Sequence, residues 1–151
     1  MPESMKALSI RQPWLWAIIY CGKDIENRSW STKYRGPVLL HAAKGMSDDE
    51  FDEGMDFVDR VVPLDKAGEM RRRARFVNGE DRRGGIVGAA EIVDCVTQSD
   101  SPWFFGPYGF VLRNARPLPF RPCRGQLGFF TPYFSELNSK DKPARAQGTL
   151  P

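Results

Sequence analysis

The chain is 151 residues long, 41% hydrophobic and 27% charged, with 22 basic against 19 acidic side chains and a net charge of +3. That length holds one domain with a real core rather than two, and no apolar run approaches the roughly 20 residues of a membrane span. Cys21, Cys95 and Cys123 are odd in number and widely spaced, and His41 is the single histidine, so neither a disulfide framework nor a metal or other cofactor is expected.

The opening MPESMKA lacks the basic-then-apolar order of a secretion signal, so a cytoplasmic protein is expected. Residues 6–10 read as a first strand. Pro13 suits a first helical position, because it has no N–H to leave unpaired and its φ is already helical; the apolar run 14–21 continues the helix until Gly22 can supply a left-handed cap. From Lys23 onward apolar and charged residues alternate as in a strand, which puts Glu26, Arg28 and Trp30 on one face and Lys23, Ile25 and Asn27 on the other. Such dense charge beside so much apolar surface points to a ligand, with Lys23 placed at the helix end where its amine can swing around the strand edge.

A loop over 29–36 leads into an apolar strand over 37–43. Ser47 and Glu50 then form a capping-box pair, and Phe51, Met55, Val58 and Val62 recur at helical spacing, so an acidic helix with a solvated carboxylate face is predicted, ended by Pro63. Helix continues over 65–75, Asn78-Gly79 and Gly84-Gly85 punctuate a loop, and a long strand of small residues covers 86–97. Residues 102–109 form an aromatic loop, 110–114 and 125–130 are the last strands, 131–138 close with a helical turn, and the polar tail 139–151 is expected to be disordered. Many short strands with few helices favour an α+β mixed β-barrel over a doubly wound sheet.

The charge is unevenly spread. Residues 46–69 carry nine acids against Arg60 and Lys66, and the rest of the chain keeps 20 basic and 10 acidic side chains. An acidic helical insertion over 47–76 therefore masks a basic body, the electrostatic footprint of a phosphate-bearing partner.

The segments SIRQPW, KDIENR, YRGP, GIVGAAEIVDC and GQLG, spread from about Lys6 to Phe130, resemble the ASCH family, named for activating signal cointegrator homology. Its hallmark is G-x-K-x-x-E-x-R. Lys23, Glu26 and Arg28 match it, whereas the glycine falls one residue late, with Cys21 at the motif position and Gly22 at the variable one. The resemblance implies a single PUA-like barrel over 6–138, flanked by short helices, with a cleft beside the first helix. It also implies RNA, another single-stranded nucleic acid or a modified nucleotide as partner.

A nucleobase pocket needs a flat wall, polar forks and nearby cations. Arg11 and Gln12 offer donors and an amide for a base edge. Trp14, Trp16 and Trp30 are candidate walls, each equally suited to a core. Lys23, Arg28, Lys33 and Arg35 supply phosphate contacts, Tyr34 is expected to line the cleft with Arg11, Gln12, Lys23, Glu26 and Arg28, and Tyr108 is a candidate rim residue. Glu91, in a strand of small and apolar residues, needs a partner, for which Lys23 or Arg28 is expected. His41 reads as a hydrogen-bonded core histidine.

The leading expectation is a binding domain with a basic cleft. The alternative is a metal-independent hydrolase, either a ribonuclease or an amidohydrolase of the kind that some small family members are, acting on N4-acetylcytidine. For the amidohydrolases the resemblance implies a lysine, matched by Lys23, a threonine whose place Glu26 holds, and a glutamate; Lys23 and Glu26 would then be the catalytic pair. A third possibility is a protein-interaction domain using the aromatic loop at Trp103–Tyr108.

Overall fold

The structure, a computed structural model, describes residues 5–134. Strand β1 (Ala7–Ile10) leads into helix α1 (Trp14–Tyr20), and then come β2 (Ile25–Arg28) and β3 (Gly36–Ala42). Helices α2 (Asp48–Val61) and α3 (Lys66–Arg75) come next, then β4 (Gly85–Val96), β5 (Tyr108–Pro122) and β6 (Phe129–Phe130). The strands form one sheet in the order β2-β5-β4-β3-β1-β6, parallel only between β1 and β3. The sheet curls into a half-barrel, so the protein is an α+β fold of the PUA-like kind.

The curl is driven by the side chains that fill it. Leu8, Ile10, Val38, Leu40, Ala90, Ile92, Phe110 and Leu112, from β1, β3, β4 and β5, pack together in the barrel core and are buried. Phe129 of β6 stacks on Phe110 of β5 at 6.1 Å and meets Trp30 edge-on at 5.5 Å, so aromatic contact joins strands that lie far apart in sheet order. Gly88 marks a close approach, since a Cβ there would stand 2.5 Å from the Arg116 carbonyl and 2.8 Å from the Ile19 side chain.

Helix α1 is buried on two sides, as its unbroken apolar sequence requires. Leu15 and Ile18 enter the barrel core, while Trp16 and Ala17 turn the other way, onto Met55, Val58 and Phe76 of the helical layer. Each fully buried large side chain contributes about 1.5–3 kcal/mol, so a helix of two turns is held firmly enough to orient Lys23 and β2. The Lys23 N–H reaches back to the Ala17 carbonyl at 3.1 Å across Gly22, whose φ is +77°. This six-to-one closure needs a left-handed residue, which explains why the glycine sits at 22 while Cys21 occupies the motif position.

The helical insertion is built largely as the sequence indicates. Ser47 and Glu50 form the full capping box, and Asp65 caps α3 through the Gly68 N–H. Its acids are less solvated than expected, because Asp59 binds both Arg72 and Arg73, and Asp56 binds Arg73. Gly54 lets α2 lie flush on the start of α1, where any Cβ would come within 2.5 Å of Pro13.

Several boundaries differ from expectation. The segment around Asn78-Gly79 is a π-helical turn (Phe76–Glu80) that extends α3 and buries Phe76, rather than an open loop. Strand β5 runs on to Pro122 instead of stopping near 114; beyond Val111 only β4 pairs with it, so Pro117, Pro119 and Pro122 break no ladder on the free side. Strand β6 is confined to two residues, and 124–128 form a loop. Residues 131–134 are not helical, and the expected tail lies outside the described residues. Among the described residues, no helix is long and apolar enough to cross a membrane.

Candidate functional site

The motif side chains converge at the mouth of the half-barrel. Glu26 and Arg28 share one face of β2, and Arg28 donates to Glu26 Oε2 at 2.9 Å. Arg28 also donates to the Ser9 carbonyl at 2.8 Å, joining β2 to β1 across the opening of the curled sheet. Lys23 lies just before β2, which starts at Ile25, and its amine swings round the strand edge to within 3.8 Å of Glu26 Oε1 while donating to the Ile25 carbonyl.

The lysine and the glutamate side chains are only 3% and 9% exposed. Desolvation pushes the Lys23 pKa below the usual lysine range, opposed by the Glu26 carboxylate. A buried cation is tolerated there because a carboxylate stands beside it. The ring of Trp14 is 5.9 Å from the Lys23 amine.

Above this charged floor opens a cleft of about 450 Å³ lined by Ser9, Ile10, Arg11, Trp14, Lys23, Glu26, Asn27, Arg28 and Phe105. Its size falls within the range that holds small organic ligands, roughly 300–1,000 Å³. The wall is aromatic. Trp14 meets Phe57 of α2 at 5.9 Å, and Phe57 in turn meets Phe105 at 5.1 Å and Trp103 at 5.6 Å. Phe105 is 58% exposed, an unusual position for a large apolar ring. Asn27 holds it there: its amide oxygen accepts from the Phe105 and Gly106 N–H groups at 2.7 and 3.1 Å, and its amide nitrogen donates to the Trp103 carbonyl at 3.0 Å.

The cleft adjoins a wider groove of about 900 Å³, with Ser9, Arg11 and Arg28 lining both. The floor of the groove is held by His41, whose Nε2 lies 2.9 Å from the Cys123 carbonyl and whose Nδ1 lies 2.9 Å from Ser9 Oγ. A carbonyl only accepts, so Nε2 carries the proton and the Ser9 hydroxyl donates to Nδ1. His41 is thus a hydrogen-bonded buried histidine, as its apolar strand suggested.

Of the residues singled out from sequence, Arg11, Trp14, Lys23, Glu26 and Arg28 meet in the cleft. Arg11 is already engaged in a two-point bond to Glu50, 2.6 Å at each contact, and this holds the Glu50 carboxyl down at about 2. Gln12 is not in the cleft. It is buried, its amide nitrogen donating to the Arg82 carbonyl and its oxygen accepting from the Trp16 N–H, so it fastens the start of α1 to the 76–84 segment.

Lys33, Tyr34 and Arg35 line neither cavity. Tyr34 packs on Phe129 and donates to the Pro37 carbonyl, Arg35 lies 3.6 Å from Asp94, and Lys33 is exposed. Glu91 stands in register with Pro37 and Arg113, and the carboxylate that Lys23 and Arg28 share is Glu26. Tyr108 pairs with Arg28 in the ladder and lines neither cavity. Trp16 and Trp30 are packed against core rings, Trp16 donating its indole N–H to Glu80. Asn27, Phe105, Lys44 and Arg124 were missed; for Phe105 the aromatic run was a signal, and for the others position in space decides.

The fold is that of a PUA-like half-barrel with a Lys-Glu-Arg cluster beside an aromatic wall. The family model for the ASCH domain matches residues 8–139, and the chain belongs to that family. It is 24% identical over 160 residues to human (Homo sapiens) activating signal cointegrator 1, an alignment covering 95% of this chain and 24% of that protein. The chain thus spans about a quarter of the length of that relative. ASCH domains are generally RNA-binding, PUA-like domains.

Proposed function

We propose that this protein binds RNA, or a single-stranded nucleic acid of like chemistry, by drawing one plain or modified base into the cleft between α1, β2 and the 103–106 loop. The observation that carries this reading is the Lys23–Glu26–Arg28 cluster at the foot of an aromatic wall. Glu26 offers an acceptor to an exocyclic amino group and Lys23 a donor to a ring nitrogen or carbonyl, a pairing that suits cytosine- and adenine-like edges. Phe105 and Trp14 offer faces for stacking, and Arg11 and Arg28 stand at the rim where a phosphate would pass.

A second reading, hydrolysis of an acylated base amine, draws on the buried lysine beside a carboxylate, its amine pushed below the usual lysine range by desolvation. It lacks a hydroxyl where the resembling enzymes carry threonine, because Glu26 stands there. The test is a binding screen of nucleosides, modified nucleosides and short single strands, with product analysis of each hit. Binding without new products, lost in Lys23→Met, is expected. Cytidine release from N4-acetylcytidine that collapses in Glu26→Gln would overturn the binder in favour of the hydrolase.

A further inference from the structure

The groove beside the cleft differs from it in one respect that bears on the ligand. In the cleft every cation is engaged: Lys23 and Arg28 with Glu26, Arg11 with Glu50. Lys44 and Arg124, both exposed in the groove, have no acidic partner among the described residues. The same groove carries Leu127, 99% exposed, and Tyr133, 80% exposed. A single unpaired lysine or a single exposed tyrosine is ordinary surface. Two cations without an acidic partner among the described residues and an exposed ring, in one cavity of about 900 Å³ that shares Ser9, Arg11 and Arg28 with a base-sized cleft, form a composite feature.

Phosphodiester chains supply what such a surface lacks. Anionic links track cations that have no internal counter-charge, and flanking bases stack on exposed rings regardless of sequence. Gly125 lets its own loop lie against His41, where a Cβ would come within 2.6 Å of the ring, and the His41 bonds to Ser9 and Cys123 keep the groove floor in place.

We infer that the groove is a track for the strand flanking the bound base, so that the ligand is a single-stranded oligonucleotide of at least two or three residues rather than a free nucleoside. The inference rests on the base-in-cleft reading. The chain leaves the cleft past Arg28 and Arg11, its next phosphates meet Lys44 and Arg124, and a neighbouring base lies on Tyr133.

The experiment titrates a nucleoside, its 5′-monophosphate, and the matching di-, tri- and hexanucleotides, in ribo and deoxyribo series, against the full chain at several salt concentrations. Affinity should climb from nucleoside to trinucleotide and then level off, in whichever sugar series the protein prefers. Lys44→Ala with Arg124→Ala should lower the slope of log K against log salt by about 1.4, at about 0.7 per phosphate contact on single strands. Tyr133→Ala should weaken the trinucleotide by roughly 5- to 150-fold, the equivalent of one lost stacking contact. All three side chains are exposed, so unchanged thermal unfolding is the control for folding. Nucleoside binding equal to trinucleotide binding, or an unaltered salt slope in the double variant, overturns the track while leaving the cleft reading standing. Oligonucleotide binding that survives Phe105→Ala and Lys23→Met intact overturns the cleft reading, and the track with it.

Discussion

The cleft and the groove are neighbours that share three residues and solve opposite electrostatic problems. In the cleft, charge is desolvated and closed on itself: Lys23 is nearly inaccessible, Glu26 holds both it and Arg28, and Arg28 also fastens β2 to β1. In the groove, Lys44 and Arg124 stand in water. Buried, mutually oriented charges select a ligand by the pattern of donors and acceptors it must match, whereas solvated ones select only by sign and are weakened by salt. On the proposed reading, specificity would fall to the cleft and affinity to the groove, so that each could be damaged without the other.

The largest expected effect breaks the closed half through its acid. Glu26→Ala strands a buried lysine and releases Arg28, so it should cost about 3–5 kcal/mol of folding stability. Lys23→Met deletes the cation but keeps the stem and leaves the Glu26–Arg28 bond intact, so it should cost well under half as much while abolishing ligand binding. Urea unfolding of both variants checks the asymmetry. Equal losses would mean that the lysine is a structural member of the cluster and not a residue kept for the ligand.

The aromatic wall offers a smaller and cleaner separation. Phe105→Ala removes an exposed ring, so stability should barely move while base binding weakens by about 1–3 kcal/mol. Asn27→Ala should cut binding through the same ring without touching it, since the Phe105 and Gly106 N–H groups lose their acceptor. Calorimetric titration of one nucleotide into both variants decides the matter. Loss of binding in Phe105→Ala but not in Asn27→Ala would show that the loop keeps its shape without the asparagine.

How much of the molecule was legible in its sequence depends on whether the signal was local. The α1 helix, the capping box at Ser47 and the meeting of Lys23, Glu26 and Arg28 arise from spacing and turn chemistry within a few residues, and all three stand in the structure. Strand β5 was half hidden, because its second part reads as arginines and prolines; only the unpaired side of that strand makes the prolines tolerable, and that is a property of the sheet. Gln12 sits inside a motif and was assigned to a base edge, yet its amide is consumed by the Trp16 N–H and the Arg82 carbonyl, the latter 70 residues away. Lys44 and Arg124 are 80 positions apart and meet in one groove because β3 and β5 both flank the start of β4 at Gly85.

The smallest expected effect concerns the floor that keeps the groove open. Burial pushes the His41 pKa below its ordinary value, opposed by its bond to the Cys123 carbonyl, so the neutral ring is the folded form. A depressed folded pKa contributes stability that is complete above the unfolded value near 6.5 and is lost as pH falls through the folded one. The bond between Glu50 and Arg11 is lost separately, as pH falls from the ordinary glutamate value of 4.5 to about 2. With a single histidine in the chain, proton NMR tracks the imidazole without ambiguity, and its midpoint should lie below 6.5. Ser9→Ala, which leaves Nδ1 without its donor, should cost about 0.5–1.5 kcal/mol at a pH where the ring is neutral. A midpoint at or above 6.5 in the unaltered protein would mean that the ring is solvated and that the groove floor is not held by it.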